Sequence, residues 1–222
     1  MMTSVANIFR KKTDSLTNEY LNLPIGNGKY VVMDTELTGL DPKKDSIVSI
    51  GCIKMTGSRI DIGQTFYRVV KPETALTSKS VIVHGITPSE AEKSPSIENV
   101  LSDFLDFCKD SVVVGHFLFI DLVFLNKEVM RLYGKRIGNS LVDTLRIYKW
   151  IREHGDAGKH FYRDNGEDNL FSIAKKYKIP VSDAHNALMD AFITAQLFQR
   201  FLVFLPQLGV RSIKDLLKIG KP

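Results

Sequence analysis

Cysteine is nearly absent: two residues in 222, Cys52 and Cys108, far apart in the chain and both in apolar surroundings. Two distant thiols cannot build a structural zinc site by themselves and offer no disulfide framework, so both are expected as reduced core residues. Long hydrophobic runs are also lacking. No uninterrupted apolar stretch approaches the roughly 18 residues of a membrane span, and Val5 to Phe9 is too short and too interrupted for a signal-peptide core. The expectation is a soluble, cytoplasmic protein with no membrane partner. There is no internal repeat and no low-complexity segment, and at this length one domain with one sizeable core is the default. Charge of one sign is not dominant either. Thirty basic against 25 acidic residues leave +5, an excess that suits a polyanionic partner but falls far short of a nucleic-acid-coating tail.

What is present centres on Lys29 to Leu40, Lys-Tyr-Val-Val-Met-Asp-Thr-Glu-Leu-Thr-Gly-Leu. Tyr30 to Met33 reads as a buried strand that delivers Asp34 and Glu36 just before Gly39. In an extended chain residues two apart share a face, so both carboxylates project side by side. Two like charges held that close repel unless a proton or a divalent cation sits between them, and oxygen-only ligands favour magnesium or manganese.

The remaining elements follow from periodicity and punctuation. Residues 5–21 read as an N-terminal helix, followed by a linker with Pro24, Gly26 and Gly28. Ser46–Met55 and Ile60–Val70 form a hairpin across Thr56-Gly57-Ser58. Thr87-Pro88-Ser89-Glu90 is a helix start, and a second helix after Pro95 presents Ile97, Val100, Leu101, Phe104, Leu105 and Cys108 as one apolar stripe. Ser111–Val114 is a short strand ending at Gly115, with a helix from Ile120 to Tyr133. Leu141–Ile151 begins as a short strand or goes straight to helix; residues 154–168 are a polar loop carrying Lys159, His160 and Arg163. Leu170, Ile173, Ala174 and Tyr177 mark a helix stopped by Pro180. A long helix follows over 185–204, with Leu188, Ala191, Ala195, Leu197 and Phe198 toward the core. Arg211–Lys218 adds a short basic helix. Strands interleaved with helices in this order indicate a three-layer α/β domain, whose ligands gather at the strand ends.

Three further elements stand at corners of this layout. Gly115-His116-Phe117 leads to Asp121 in the first turn of a helix. His185-Asn186-Ala187-Leu188-Met189-Asp190 opens the last helix. Asp143-Thr144-Leu145 carries an acid that is either a cap or a supporting group. His185 and Asp190 are about 140° apart around a helix, so they converge only if His185 lies before or within the first turn.

In this order and spacing, Asp34-Thr35-Glu36-Leu37-Thr38-Gly39-Leu40, His84-Gly85-Ile86-Thr87, Gly115-His116 with Asp121, and His185 with Asp190 resemble the DEDDh 3′–5′ exonucleases. These include the proofreading epsilon subunit of bacterial DNA polymerase III and, more distantly, ribonuclease T. The resemblance covers about residues 29–204. It implies a ribonuclease H-like fold with a five-stranded mixed sheet flanked by helices. It divides the chain into an N-terminal helix and linker (1–28), an exonuclease domain (29–204) and a short basic extension (205–222).

Carried over residue by residue, the four metal-binding acids fall on Asp34, Glu36, Asp121 and Asp190, and the general base on His185. Four carboxylates can hold two divalent ions, magnesium or manganese, roughly 3.5–4 Å apart for an in-line phosphodiester displacement. Substrate contacts fall on Thr35, Leu37, Thr38, His116 and Phe117. Phe117 stands where the family often has asparagine, and Ile120 where it often has phenylalanine. The implied activity is metal-dependent release of nucleoside 5′-monophosphates from single-stranded or frayed 3′ ends of nucleic acid, with DNA favoured over RNA and a DNA polymerase subunit as a candidate partner. The alternative is a noncatalytic nucleic-acid-binding or polymerase-docking module of the same fold, against which the complete ligand set argues.

Overall fold

The alternation of apolar side chains along Lys29–Leu37 settles the architecture, because this strand, β1, is buried on both faces. Tyr30 and Val32 enter one core cluster, whereas Val31 and Met33 enter another, as a period of two requires. A computed structural model of the protein describes residues 17–154, 168–181 and 185–222. β1 pairs antiparallel with β2 (Ile47–Thr56), which pairs antiparallel with β3 (Arg59–Val69). On its other side β1 pairs parallel with β4 (Val112–Gly115), and β4 with β5 (Leu141–Asp143). The order β3-β2-β1-β4-β5 makes a five-stranded mixed sheet, and the expected three-layer α/β fold is present.

Nine helices flank the sheet among the described residues: α1 (Asn18–Leu21), α2 (Ser78–His84), α3 (Pro88–Lys93), α4 (Ile97–Phe107), α5 (Leu118–Tyr133), α6 (Thr144–His154), α7 (Leu170–Lys176), α8 (Ala187–Phe204) and α9 (Ile213–Ile219). α4 and α5 cover the face of Val31 and Met33. Helices α6 to α9 cover the face of Tyr30 and Val32, where the Tyr30 ring meets Phe198 edge-on at 4.9 Å and its hydroxyl donates to the Ile25 carbonyl at 2.8 Å.

Several boundaries differ from expectation for local reasons. α5 starts at Leu118 rather than Ile120, because a left-handed residue, Phe117, turns the chain directly into it. Leu141–Ile151 follows the first of its two alternatives, beginning as a three-residue strand that leads into α6. α7 ends at Lys176, ahead of Pro180, and the chain leaves it through Lys178 with φ 55°. α8 starts at Ala187, capped by Asn186, whose Oδ1 accepts from the amides of Leu188 and Met189. Its inner face is therefore Ala187, Ala191 and Ala195, all fully buried, while Leu188 is only partly so.

Gly51 explains how α8 can lie so close. A Cβ there would overlap the backbone of Ala187 and Leu188, so only glycine lets the helix start rest on the sheet directly beside Asp34, its cross-strand partner.

The expectation about apolar runs needs correction. Ala187–Leu208 is long and apolar enough to cross a membrane by length and average hydropathy. It carries Asp190 and Arg200 and packs on β1 and β2, so the burial of its apolar faces within the protein accounts for its composition.

The segment after α8 also packs inward. Leu205, Val210, Ile213 and Leu216 join the same core as Tyr30, and Pro24 bridges Ser212. Of the expected N-terminal helix only Asn18–Leu21 is described; residues 5–16, together with Lys159, His160 and Arg163, lie outside the described residues.

Candidate metal and nuclease site

Asp34 and Glu36 stand where β1 outruns its parallel neighbour, since β4 pairs only with Tyr30 to Val32. Here the chain sends two strands to one side of β1 and two to the other, the topological switch point at which such sheets bind ligands. The β1–β2 register shifts between Glu36 and Leu37, a bulge that re-aims the strand end beside the acids.

By strand parity Asp34 and Glu36 face the α8 layer, and Asp190, in the first turn of α8, meets them there. One carboxylate oxygen from each of the three lies within 4.8 Å of the others. Asp121 comes from the opposite layer, in the first turn of α5. It lies outside that close trio but near enough that its charge acts on Asp34 and Glu36. Thr35, with the opposite parity, donates its hydroxyl to Asp121 Oδ1 at 2.5 Å.

The electrostatics of the acids define what the site can hold. Burial, then the charges of Asp121, Asp190 and Glu36, push the Asp34 carboxyl well above the usual carboxylate range. Burial, then Asp190 and Asp121, raise Glu36 to about 8. Burial raises Asp121 to about 7 against the hydrogen bonds from Thr35, and Asp190 to about 6 against the favourable charge and amide of His185. Every neighbouring charge acting on Asp34 and Glu36 is another carboxylate. Asp190 Oδ1 is buried with no hydrogen-bond partner among the described residues, while Oδ2 accepts from the His185 amide at 3.3 Å. Clustered acids, no side-chain cation acting on Asp34 or Glu36 among the described residues, and an orphaned carboxylate oxygen fit a hard divalent cation, with Asp34, Glu36 and Asp190 as its holders and Asp121 alongside.

The same pKa shifts set a pH dependence. An acid raised in the folded state stabilises the fold while protonated and loses that contribution as pH climbs from its unfolded value, near 4, through its folded value of about 6 to 8. His116, held down to about 4 by burial, works the other way at the acid end. The clean readout is therefore the difference between magnesium-saturated and metal-free protein. Its melting-temperature gap should widen from pH 5 to pH 8 in scanning calorimetry, and a gap that is constant or shrinks would mean the acids do not take the metal.

His185 occupies the position its spacing required, just before α8, exposed, with φ 70° and its ring edge-on to Phe171 at 5.2 Å. The expected substrate contacts divide. Leu37 is partly buried and packs against the α4–α5 core while keeping some surface, and Phe117 is 44% exposed. Thr35 and His116 are buried and spend their polar atoms on protein. His116 Nδ1 pairs with Thr144 Oγ1 at 2.9 Å, and Nε2 lies 3.4 Å from the Asp168 carbonyl. The Thr38 hydroxyl donates to Asp45 Oδ1 and accepts from the Ser46 amide, both at 3.0 Å. His84 orders its own turn, Nδ1 accepting from the Ile86 amide at 3.1 Å.

Phe117 adopts φ 55°, ψ 34°, a left-handed conformation that costs a non-glycine residue roughly 1–2 kcal/mol. Its amide donates to Asp143 Oδ1 at 3.2 Å, and the Leu145 amide donates to the same oxygen at 2.8 Å. Burial raises the Asp143 carboxyl, and the amides of Leu145, Phe117 and Leu118 pull it back. Asn186 and Gly51 escaped the sequence reading of the site. A cap-type residue ahead of an apolar helix and a glycine inside a β-rich run were the signals that pointed to them.

A family model described as Exonuclease, of the RNase T type, matches residues 31–198. Among curated proteins, the chain is 31% identical over 176 residues to "DNA polymerase III subunit epsilon" of Aquifex aeolicus, covering 79% of this chain and 81% of that protein. It is 30% identical over 219 residues to "DNA polymerase III PolC-type" of Thermotoga maritima, covering 99% of this chain but only 15% of that much longer protein. Among solved structures, E. coli exonuclease I in complex with a dT13 oligonucleotide superposes with a TM-score of 0.71 at 19% identity, over 82% of this chain and 42% of that one. Exonuclease X in complex with 5′-overhanging duplex DNA gives 0.66 at 18%, over 86% and 98%. At these identities the structural likeness concerns the fold.

Proposed function

Because the chain belongs to the RNase T-type exonuclease family, we propose that it is a metal-dependent 3′–5′ exonuclease releasing nucleoside 5′-monophosphates from single-stranded or frayed 3′ ends, with DNA as the preferred substrate. The observation that carries this reading is the meeting of Asp34, Glu36 and Asp190, with one carboxylate oxygen from each within 4.8 Å of the others. Asp121 and His185 stand at its margin.

Asp34, Glu36, Asp121 and Asp190 would hold two magnesium or manganese ions. When bound, such ions generate a nucleophile from water at neutral pH and stabilise charge on the attacking and leaving oxygens. The protein's own residues do the rest. His185, exposed beside Asp190, takes the proton of the attacking water. Leu37 and Phe117 present apolar surface to the terminal bases, a contact that tolerates any sequence. Thr35 fixes Asp121, and Thr38 fixes the loop after β1. Residues 29–204 carry the nuclease residues, on a core that Ile25 and the segment after α8 complete. The names of the relatives support a role beside a DNA polymerase, in the cytoplasm.

The test is digestion of 5′-labelled single-stranded DNA, with matched RNA in parallel. Stepwise shortening with mononucleotide release in magnesium or manganese, faster on DNA, is the expected result. A purified, folded protein that leaves both strands intact with either metal refutes the proposal and favours a noncatalytic module.

A further inference from the structure

Asp143 is a buried acid at the edge of the site that the nuclease reading leaves without a role. It closes β5, is 3% exposed, and faces Gly115 in the β4–β5 register. Two chain reversals therefore lie side by side: β4 into α5 through His116 and Phe117, and β5 into α6 through Asp143 and Thr144. Each is tied to the other. One oxygen of Asp143 accepts from the Phe117 amide across the gap and from the Leu145 amide in its own turn. Thr144 Oγ1 donates to the Gly115 carbonyl at 3.1 Å and meets His116 Nδ1 at 2.9 Å. The Asp143 amide is itself fixed, donating to the Gly220 carbonyl at 2.7 Å.

α5 has no side-chain cap of its own: the residue in the cap position is Phe117, in a left-handed conformation. A helix start normally takes its acceptor from a local Ser, Thr, Asp or Asn. Here the acceptor comes from another strand. What it holds matters for the site, because Asp121 is in the first turn of α5 and the exposed Phe117 ring leads into it.

We propose that Asp143 is a positioning residue for the reaction: through the Phe117 amide it holds the left-handed turn that aims the Asp121 carboxylate at the metal site and the Phe117 ring at the substrate. This rests on the nuclease reading. The competing role is a plain cap for α6 through Leu145.

Asp143→Ser separates the two, since serine is a good cap for its own helix but is too short to span to Phe117. Phe117→Gly supplies the suppressor, because glycine takes a left-handed conformation without help. Asp143→Ser should lower both manganese affinity, measured by titration calorimetry, and kcat on labelled single-stranded DNA by about 10- to 100-fold, the usual cost of losing a group that orients a ligand. Asp143→Asn, which keeps an oxygen acceptor, should stay close to the parent. The double variant Asp143→Ser, Phe117→Gly should recover manganese affinity and kcat to the level of Phe117→Gly alone, with KM raised by loss of the ring.

Parent-like manganese affinity and kcat in Asp143→Ser would overturn the proposal, as would a double variant no better than Asp143→Ser. Calorimetry reads the turn even in a protein without activity, so failure of the nuclease reading and failure of this one are distinguishable.

Discussion

Asp34→Asn should lower kcat by roughly 10³-fold or more, equivalent to about 4 kcal/mol of barrier, while raising the melting temperature of the metal-free protein. Both effects have one cause. Asp34 is the acid on which the charges of Asp121, Asp190 and Glu36 all converge. Asparagine keeps its shape and removes a charge that those neighbours must otherwise tolerate. Without metal that removal relieves repulsion, worth about 2–4 °C per kcal/mol in a chain of this size. With metal it removes a ligand from the centre of the group that holds the ion. Activity from a mononucleotide-release assay and melting in chelator are the two measurements. Loss of activity with a lower metal-free melting temperature would point to simple misfolding, and retention of activity within tenfold would remove Asp34 from the reaction.

His185→Asn should lower kcat by about 10²- to 10⁴-fold, the range for loss of a general base, with little change in metal affinity. Asparagine is the right replacement because His185 has φ 70°, a conformation asparagine tolerates and alanine resists. The His185 amide that donates to Asp190 Oδ2 is a backbone group and survives the change. The two variants thus part company in calorimetry: Asp34→Asn loses metal binding and His185→Asn keeps it. A His185→Asn protein with kcat within a few-fold of the parent would rule out a proton-accepting role for the ring.

The parts of the site legible in the sequence were those that depend on local periodicity. Strand parity placed Asp34 and Glu36 on one face, and they lie on one face. Helix periodicity required His185 to sit before or within the first turn of the last helix, and it stands just before α8. The sequence could not show which layer each acid comes from, because that depends on the sheet order β3-β2-β1-β4-β5 and on β1 outrunning β4.

Thr35 and His116 read as substrate contacts because they adjoin site residues. Adjacency along a strand or at a corner says nothing of where a polar atom finds its partner, and both find one inside the protein. The left-handed turn at Phe117 was invisible for a similar reason. Its support, Asp143, is contributed by another strand, and no local rule places an aromatic residue in that conformation. The cysteines make the same point from the core. Separate in sequence, they lie in one buried cluster, with the Cys52 and Cys108 thiols hydrogen-bonded to each other.

The bridge between Pro24 and Ser212, flanked by hydrogen bonds from the Ile25 amide to Arg211 and from the Ile213 amide to Leu23, has a consequence for where this unit can be cut. It ties the segment ahead of β1 to the segment after α8, and beyond it the chain still packs inward, with Ile213 and Leu216 in the core and the Gly220 carbonyl on the Asp143 amide. A cut just after α8 therefore opens the core around Tyr30 and strips a backbone partner from the strand that supports the Phe117 turn, so trimming a segment remote in sequence from every acid of the site would loosen the site together with the fold.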